Sequence, residues 1–176
     1  YPDGRPVAEY RRTHPRGPWI YLGGRAWDFW YVPGDQLPVF ETVWGTVGLA
    51  ICSEVYVPEV CRTLALQGAE ILFLPAGVDK KRLWPTWRTL LWARAIENLA
   101  LVSTQNLFTP EERGLAMVAG PEEVLLESTG PGLFLVEVTL ERVRYLRATR
   151  DELGAWERCA TKQGLLSDQW LRPELY

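Results

Sequence analysis

The sequence predicts one α/β domain, a sandwich of helices on a partly parallel sheet, and three observations lead to it. Apolar, β-branched runs at 46–52, 71–74 and 101–104 are continuous rather than alternating, as in strands buried on both faces. Between them, segments 58–67 and 84–99 carry apolar residues at helical spacing. Glycine and proline punctuate each change of period, so strand, helix, strand, helix and strand follow in the order of right-handed parallel crossovers.

Each element has its own signal. Pro2-Asp3-Gly4 is turn chemistry, and 7–12 then reads as a short strand. Segment 13–34, rich in Pro, Gly and aromatics including Trp19, Trp27 and Trp30, reads as a long packed loop. Runs 38–43 and 46–52 joined through Trp44-Gly45 read as a hairpin. Pro58-Glu59 opens a helix, and Gly68 sits where a helix stops. Glu59 and Arg62 support that helix, Glu59 by facing the positive end of its dipole. Pro85 opens the longest helix, with Trp87, Leu90, Leu91, Ala95 and Ile96 on its apolar face. Strands are expected at 101–104, 115–118, 123–127 and 133–138, then a helix at 140–146 and a surface tail over 165–176.

Bulk composition narrows the function. A length of 176 residues suits one domain with its own core, and 47% hydrophobic against 23% charged residues is a globular mixture. A net charge of −3 with scattered Lys and Arg gives no basic field for nucleic acid. No apolar run nears the roughly 20 residues that span a bilayer, and the start lacks a signal peptide's features. A cytoplasmic location off the membrane is expected. Tyr1 opens what reads as the middle of a turn, as in a fragment or processed product. The 3 cysteines, Cys52, Cys61 and Cys159, lack CxxC spacing, so neither a disulfide framework nor a zinc ribbon is indicated. At least one thiol is free, and no metal or cofactor is expected. The single histidine, His14, removes most imidazole-based triads from consideration.

Chemistry concentrates at Gly48-Leu49-Ala50-Ile51-Cys52-Ser53-Glu54, where a thiol follows a buried strand that turns toward a helix. Nucleophiles and ligands in open α/β sheets sit at such carboxyl ends. A free thiol titrates near ~8.5, so a nucleophile needs a base or a cation beside it. The Ser53 amide is the nearest donor for a developing oxyanion. Spacing alone leaves a second reading open, because cysteine is also among the most buried small apolar residues.

The run GLAICSEVYVPEVCRTLALQGAEILFLPAG, from Gly48 to Gly77, resembles the nitrilase superfamily of carbon-nitrogen hydrolases. The pattern continues through Trp87, Arg94-Ala95-Ile96-Glu97-Asn98 and Thr104-Gln105-Asn106, and upstream through Tyr10-Arg11-Arg12-Thr13-His14-Pro15. It covers essentially the whole chain. The resemblance implies an αββα sandwich and a Glu-Lys-Cys triad that hydrolyses amides, carbamoyl groups or nitriles through a covalent cysteine intermediate. It makes Cys52 the nucleophile and the Ser53 amide an oxyanion donor. It places Glu54, Pro75, Ala76 and Gly77 at or beside the substrate, with Asp28 as a second carboxylate in the preceding loop. Asp28 reads equally well as a carboxylate that orders its own loop.

Two departures from the family pattern stand out. Arg12 occupies the lysine's place, and a guanidinium cannot shuttle protons as an amine can. The strand-helix section that carries the family's glutamate is expected to precede this chain. Two functions therefore stay open: a thiol-dependent hydrolase of carbon-nitrogen bonds, or a truncated, catalytically silent module that binds or assembles. A Cys-His pair of Cys52 with His14 is a third, requiring hydrogen-bond reach between them. A homo-oligomer is expected as well, because the missing section would leave sheet edges and apolar faces uncovered.

Overall fold

The computed structural model describes residues 3–6, 9–14, 33–77, 84–105, 114–149, 159–168 and 170–175. Strands β1 (Val39–Thr42) and β2 (Gly45–Leu49) form the expected antiparallel hairpin. A short 3-10 turn (Cys52–Tyr56) leads into helix α1 (Pro58–Leu66), strand β3 (Ile71–Phe73) and helix α2 (Trp84–Asn98). Strands β4 (Leu101–Gln105), β5 (Ala116–Ala119) and β6 (Val124–Ser128) follow, then helix α3 (Glu141–Ala148). The strands make one 6-stranded sheet in chain order. β2, β3 and β4 run parallel, joined through α1 and α2, while β1, β5 and β6 are antiparallel to their neighbours.

Side-chain alternation along the strands divides the core between the two faces of the sheet. Leu72 and Val102 point to the side where Leu64 of α1 and Trp87 and Leu91 of α2 are buried. Ile71 and Leu101 point to the other side, against Leu140 and Val143 of α3. Gly48 lets β2 approach α1: a Cβ there would lie 3.0 Å from Leu72, 3.1 Å from Ala69 and 3.2 Å from Leu64. Helix α1 ends as its glycine foretells. Gly68 takes φ +104, its N–H donates to the Ala65 carbonyl, and the Ala69 N–H donates to the Leu64 carbonyl, both at 3.0 Å. At the end of α2 the same left-handed turn falls on Leu99, φ 44. Arg147 of α3 holds it, donating to the carbonyls of Leu99 (2.8 Å), Asn98 (3.1 Å) and Ala69 (2.6 Å).

Two expected strands differ. Residues 133–139 form no strand, and Leu133 and Leu135 are 88% and 87% exposed. The alternating pattern of that segment records a side-chain preference, whereas a strand exists only where a second backbone completes its hydrogen bonds. Residues 9–12 also lie outside any strand, while Val7 and Ala8 fall outside the described residues. Over the chain's last segment, residues 165–168 and 170–175 form turns and a 3-10 turn (Pro173–Leu175).

Candidate active site

Parallel pairing of β2 with β3 continues past both strands and delivers Cys52 to its place. The Ala50 N–H donates to the Phe73 carbonyl at 3.0 Å, and the Cys52 N–H donates to the Pro75 carbonyl at 2.9 Å. The Leu74 N–H donates to the Ser103 carbonyl at 2.8 Å, and the Thr104 hydroxyl to the Leu74 carbonyl at 2.7 Å. Cys52 thus sits at the carboxyl ends of the parallel strands, beside Pro75-Ala76-Gly77. Pro75 and Gly77 are exposed, and Ala76 and Cys52 half-buried. The Cys52 backbone takes φ 54, a left-handed conformation that costs a non-glycine residue about 1–2 kcal/mol. Extended backbone passes there into the 3-10 turn, so the thiol stands at the first residue of that turn.

The turn is held from below by Glu54, a glutamate with no exposed surface. One carboxylate oxygen accepts from the Thr13 amide (2.7 Å), the Thr13 hydroxyl (2.7 Å), the His14 amide (3.1 Å) and the Tyr10 hydroxyl (2.8 Å). Its other oxygen accepts from the Ile51 amide at 2.6 Å and again from the Tyr10 hydroxyl at 2.9 Å. Burial alone would raise the pKa of this carboxyl, but the bonds from Thr13, Ile51, His14 and Tyr10 outweigh it and hold the group below its ordinary value. Burial and the adjacent carboxylate push the Tyr10 phenol up. Arg94 of α2, itself buried, donates to the Val55 carbonyl at 2.9 Å and pairs with Glu97 at 2.6 Å, fixing the turn from the helix side.

Arg12 lies in the 10–14 segment that Glu54 anchors. Its Nε donates to the His14 carbonyl at 2.9 Å, and its Nη2 donates to the Ser53 hydroxyl, so a guanidinium stands one residue from the thiol. His14 is exposed, with Nδ1 2.9 Å from the Thr13 hydroxyl. Asp28 lies outside the described residues, as do Trp19, Trp27 and Trp30. Of the other thiols, Cys61 is fully buried in α1 and its pKa is pushed up to about 12 by that burial; Cys159 lies 3.4 Å from Arg142. A polar cleft of about 280 Å³ between Glu9, Arg11 and Asp35, and a mainly apolar one of about 360 Å³ between Ser103, Met117 and Phe134, are lined by residues other than Cys52.

Structure thus brings together Arg12, Cys52, Ser53, Glu54 and the Pro75 to Gly77 segment. Two supports escape a reading of the sequence, the Tyr10-Thr13-His14 grip on Glu54 and the Arg94 bond to Val55. An acid inside the otherwise apolar stretch Ile51 to Val57 was the available signal, since a buried carboxylate demands donors.

A thiol on a left-handed turn, at the carboxyl ends of parallel strands between crossover helices, places the chain among open-sheet α/β proteins. The chain belongs to the carbon-nitrogen hydrolase family, whose model matches residues 1–148. It is 35% identical over 156 residues to the deaminated glutathione amidase of Synechocystis sp., covering 83% of this chain and 57% of that protein. It is 28% identical over 171 residues to the N-carbamoylputrescine amidase of Solanum tuberosum, covering 82% and 54%. Among solved structures it matches a mutant amidase from Nesterenkonia sp. AN1 in which acrylamide has undergone Michael addition at the active-site cysteine. That match has TM-score 0.65 and 28% identity, and it covers 81% of this chain and 56% of the other. The chain spans about half the length of the curated relatives it matches.

Proposed function

We propose that this chain carries the nucleophile of a thiol-dependent hydrolase acting on amide, carbamoyl or nitrile carbon-nitrogen bonds. The observation that carries the proposal is Cys52 itself, half-buried at φ 54 on the bend where β2 and β3 end, with the Arg12 guanidinium on the neighbouring Ser53. For an amide, the Cys52 sulfur adds to the carbonyl carbon and the oxygen takes the negative charge. The Ser53 N–H, with the Pro75 to Gly77 segment beside it, receives that charge. The carbon-nitrogen bond then breaks as the amine leaves with a proton, and water releases the acid from the thioester. A general base is required, and the Glu54 oxygens are already taken by protein donors. We assign the base to a carboxylate on a segment or chain beyond the described residues.

Support also comes from the kind of enzymes the chain is similar to, which are amidases, one of them trapped with an adduct on its active-site cysteine. Alkylation by iodoacetamide, followed by mass spectrometry of the peptides, tests the proposal. Cys52 is expected to react much faster than Cys159 and Cys61; equal sluggishness at all three removes the nucleophile. A second reading, a silent binding or assembly module, is favoured by the guanidinium at the lysine's place. Turnover of any amide or nitrile by the unaltered chain would eliminate it.

Two further expectations belong here. A homo-oligomer is supported by exposed apolar residues including Val43, Trp44, Leu133 and Leu135, and sedimentation of a species no heavier than one chain counts against it. A reducing, cytoplasmic setting is supported by three cysteines left as free thiols, and no helix among the described residues is long and apolar enough to cross a membrane.

A further inference from the structure

We propose that Glu54 is a positioning residue whose buried carboxylate sets the place of the Arg12 guanidinium relative to Cys52. The inference rests on the hydrolase reading above and deepens it. Glu54 stands two residues after the thiol, yet its bonds reach a segment 40–44 residues away: Tyr10, Thr13 and His14 on one side, and Ile51, the residue before Cys52, on the other. Arg12 is enclosed between those anchors. Its backbone is fixed by Tyr10 before it and Thr13 after it, and its side chain by the His14 carbonyl and the Ser53 hydroxyl.

The chemistry of the carboxylate suits this role. An ionised carboxylate accepts at both oxygens and donates nothing, so it can gather amide and hydroxyl donors from two segments at once. It has no exposed surface from which to meet a substrate. The guanidinium holds the hydroxyl of Ser53, the residue next to the thiol, so a small drift of the 10–14 segment shifts the turn that presents the sulfur and weakens its attack. Glu54→Gln keeps the shape of the side chain but turns one acceptor into a donor, which then faces the Ile51 or Thr13 donors.

The rate of Cys52 alkylation by iodoacetamide, measured at one pH in the full chain, reads the effect. Glu54→Gln is expected to slow Cys52 by about ten-fold or more, as for loss of a charged hydrogen-bond acceptor, while leaving Cys159 unchanged. The decisive readout is a cycle with Arg12→Ala. If Glu54 acts through Arg12, the double variant reacts no more slowly than Arg12→Ala alone; a fold that merely loosened would give effects that multiply. Should Glu54→Gln fail to fold, Thr13→Ala replaces it, expected to slow Cys52 with Thr13→Ser restoring the rate. Fast wild-type Cys52 left within about two-fold by these variants, or effects that multiply, overturns the assignment alone. A wild-type Cys52 no faster than Cys159 overturns it together with the hydrolase reading.

Discussion

Cys52 carries a conformational cost that a glycine in its place would not. At φ 54 a side chain is strained and glycine is not. Cys52→Gly is therefore expected to be more stable than Cys52→Ala by about 1 kcal/mol in urea unfolding, although both lose the thiol. Equal stability would show that the bend holds no strain. Leu99, φ 44, is the structural counterpart: there Arg147 fixes the carbonyls around the turn, and no nucleophile is on display.

At the level of elements, the site depends on how closely β2 lies against α1 and β3. Gly48 permits that contact, because an added methyl would meet Leu72, Ala69 and Leu64 at 3.0–3.2 Å. Gly48→Ala is expected to cost about 1–3 kcal/mol by overpacking. It should also slow Cys52 alkylation, since the neighbouring Ala50 and Cys52 carry the ladder to Pro75. A variant with unchanged melting and unchanged labelling would place the support of the Cys52 turn elsewhere. Arg94 couples α2 to the same turn through the Val55 carbonyl, so both crossover helices bear on the position of one thiol.

Across the whole molecule, ionisation bounds stability on both sides of neutrality. Glu54 is held low by its donors against its burial, and Glu70 and Glu122 by their bonds from Arg144 and Arg142. A native carboxyl held low contributes stability in full above the unfolded value near ~4.3 and loses it as pH falls through its own lower value. Glu54, the buried member, should dominate, since Arg144 and Arg142 are 57% and 42% exposed and their pairs are screened by water. Cys61 acts at the other limit: pushed up to about 12 by burial, it contributes in full below the free thiol's range and loses that contribution as pH rises toward 12. The melting midpoint is expected to be flat between about pH 5 and 8 and to fall on either side. A midpoint that rises on acidification from about pH 5 to 3 would contradict the assignment of Glu54 as a buried anion.

Sequence alone determined the order of elements from β1 to β6, the hairpin at Trp44-Gly45, the stop at Gly68 and the thiol at the end of a strand. Those are local matters, decided by the period of apolar residues and by the conformations that glycine and proline allow. Likeness to a known family was equally legible, because a motif of 30 residues is a linear object. Tertiary structure decided what depends on a partner. It left 133–139 without a ladder, since a strand needs a second backbone. It turned Glu54 inward, since a buried carboxylate goes where donors converge, and here they converge from Tyr10, Thr13 and His14, some forty residues earlier in the chain.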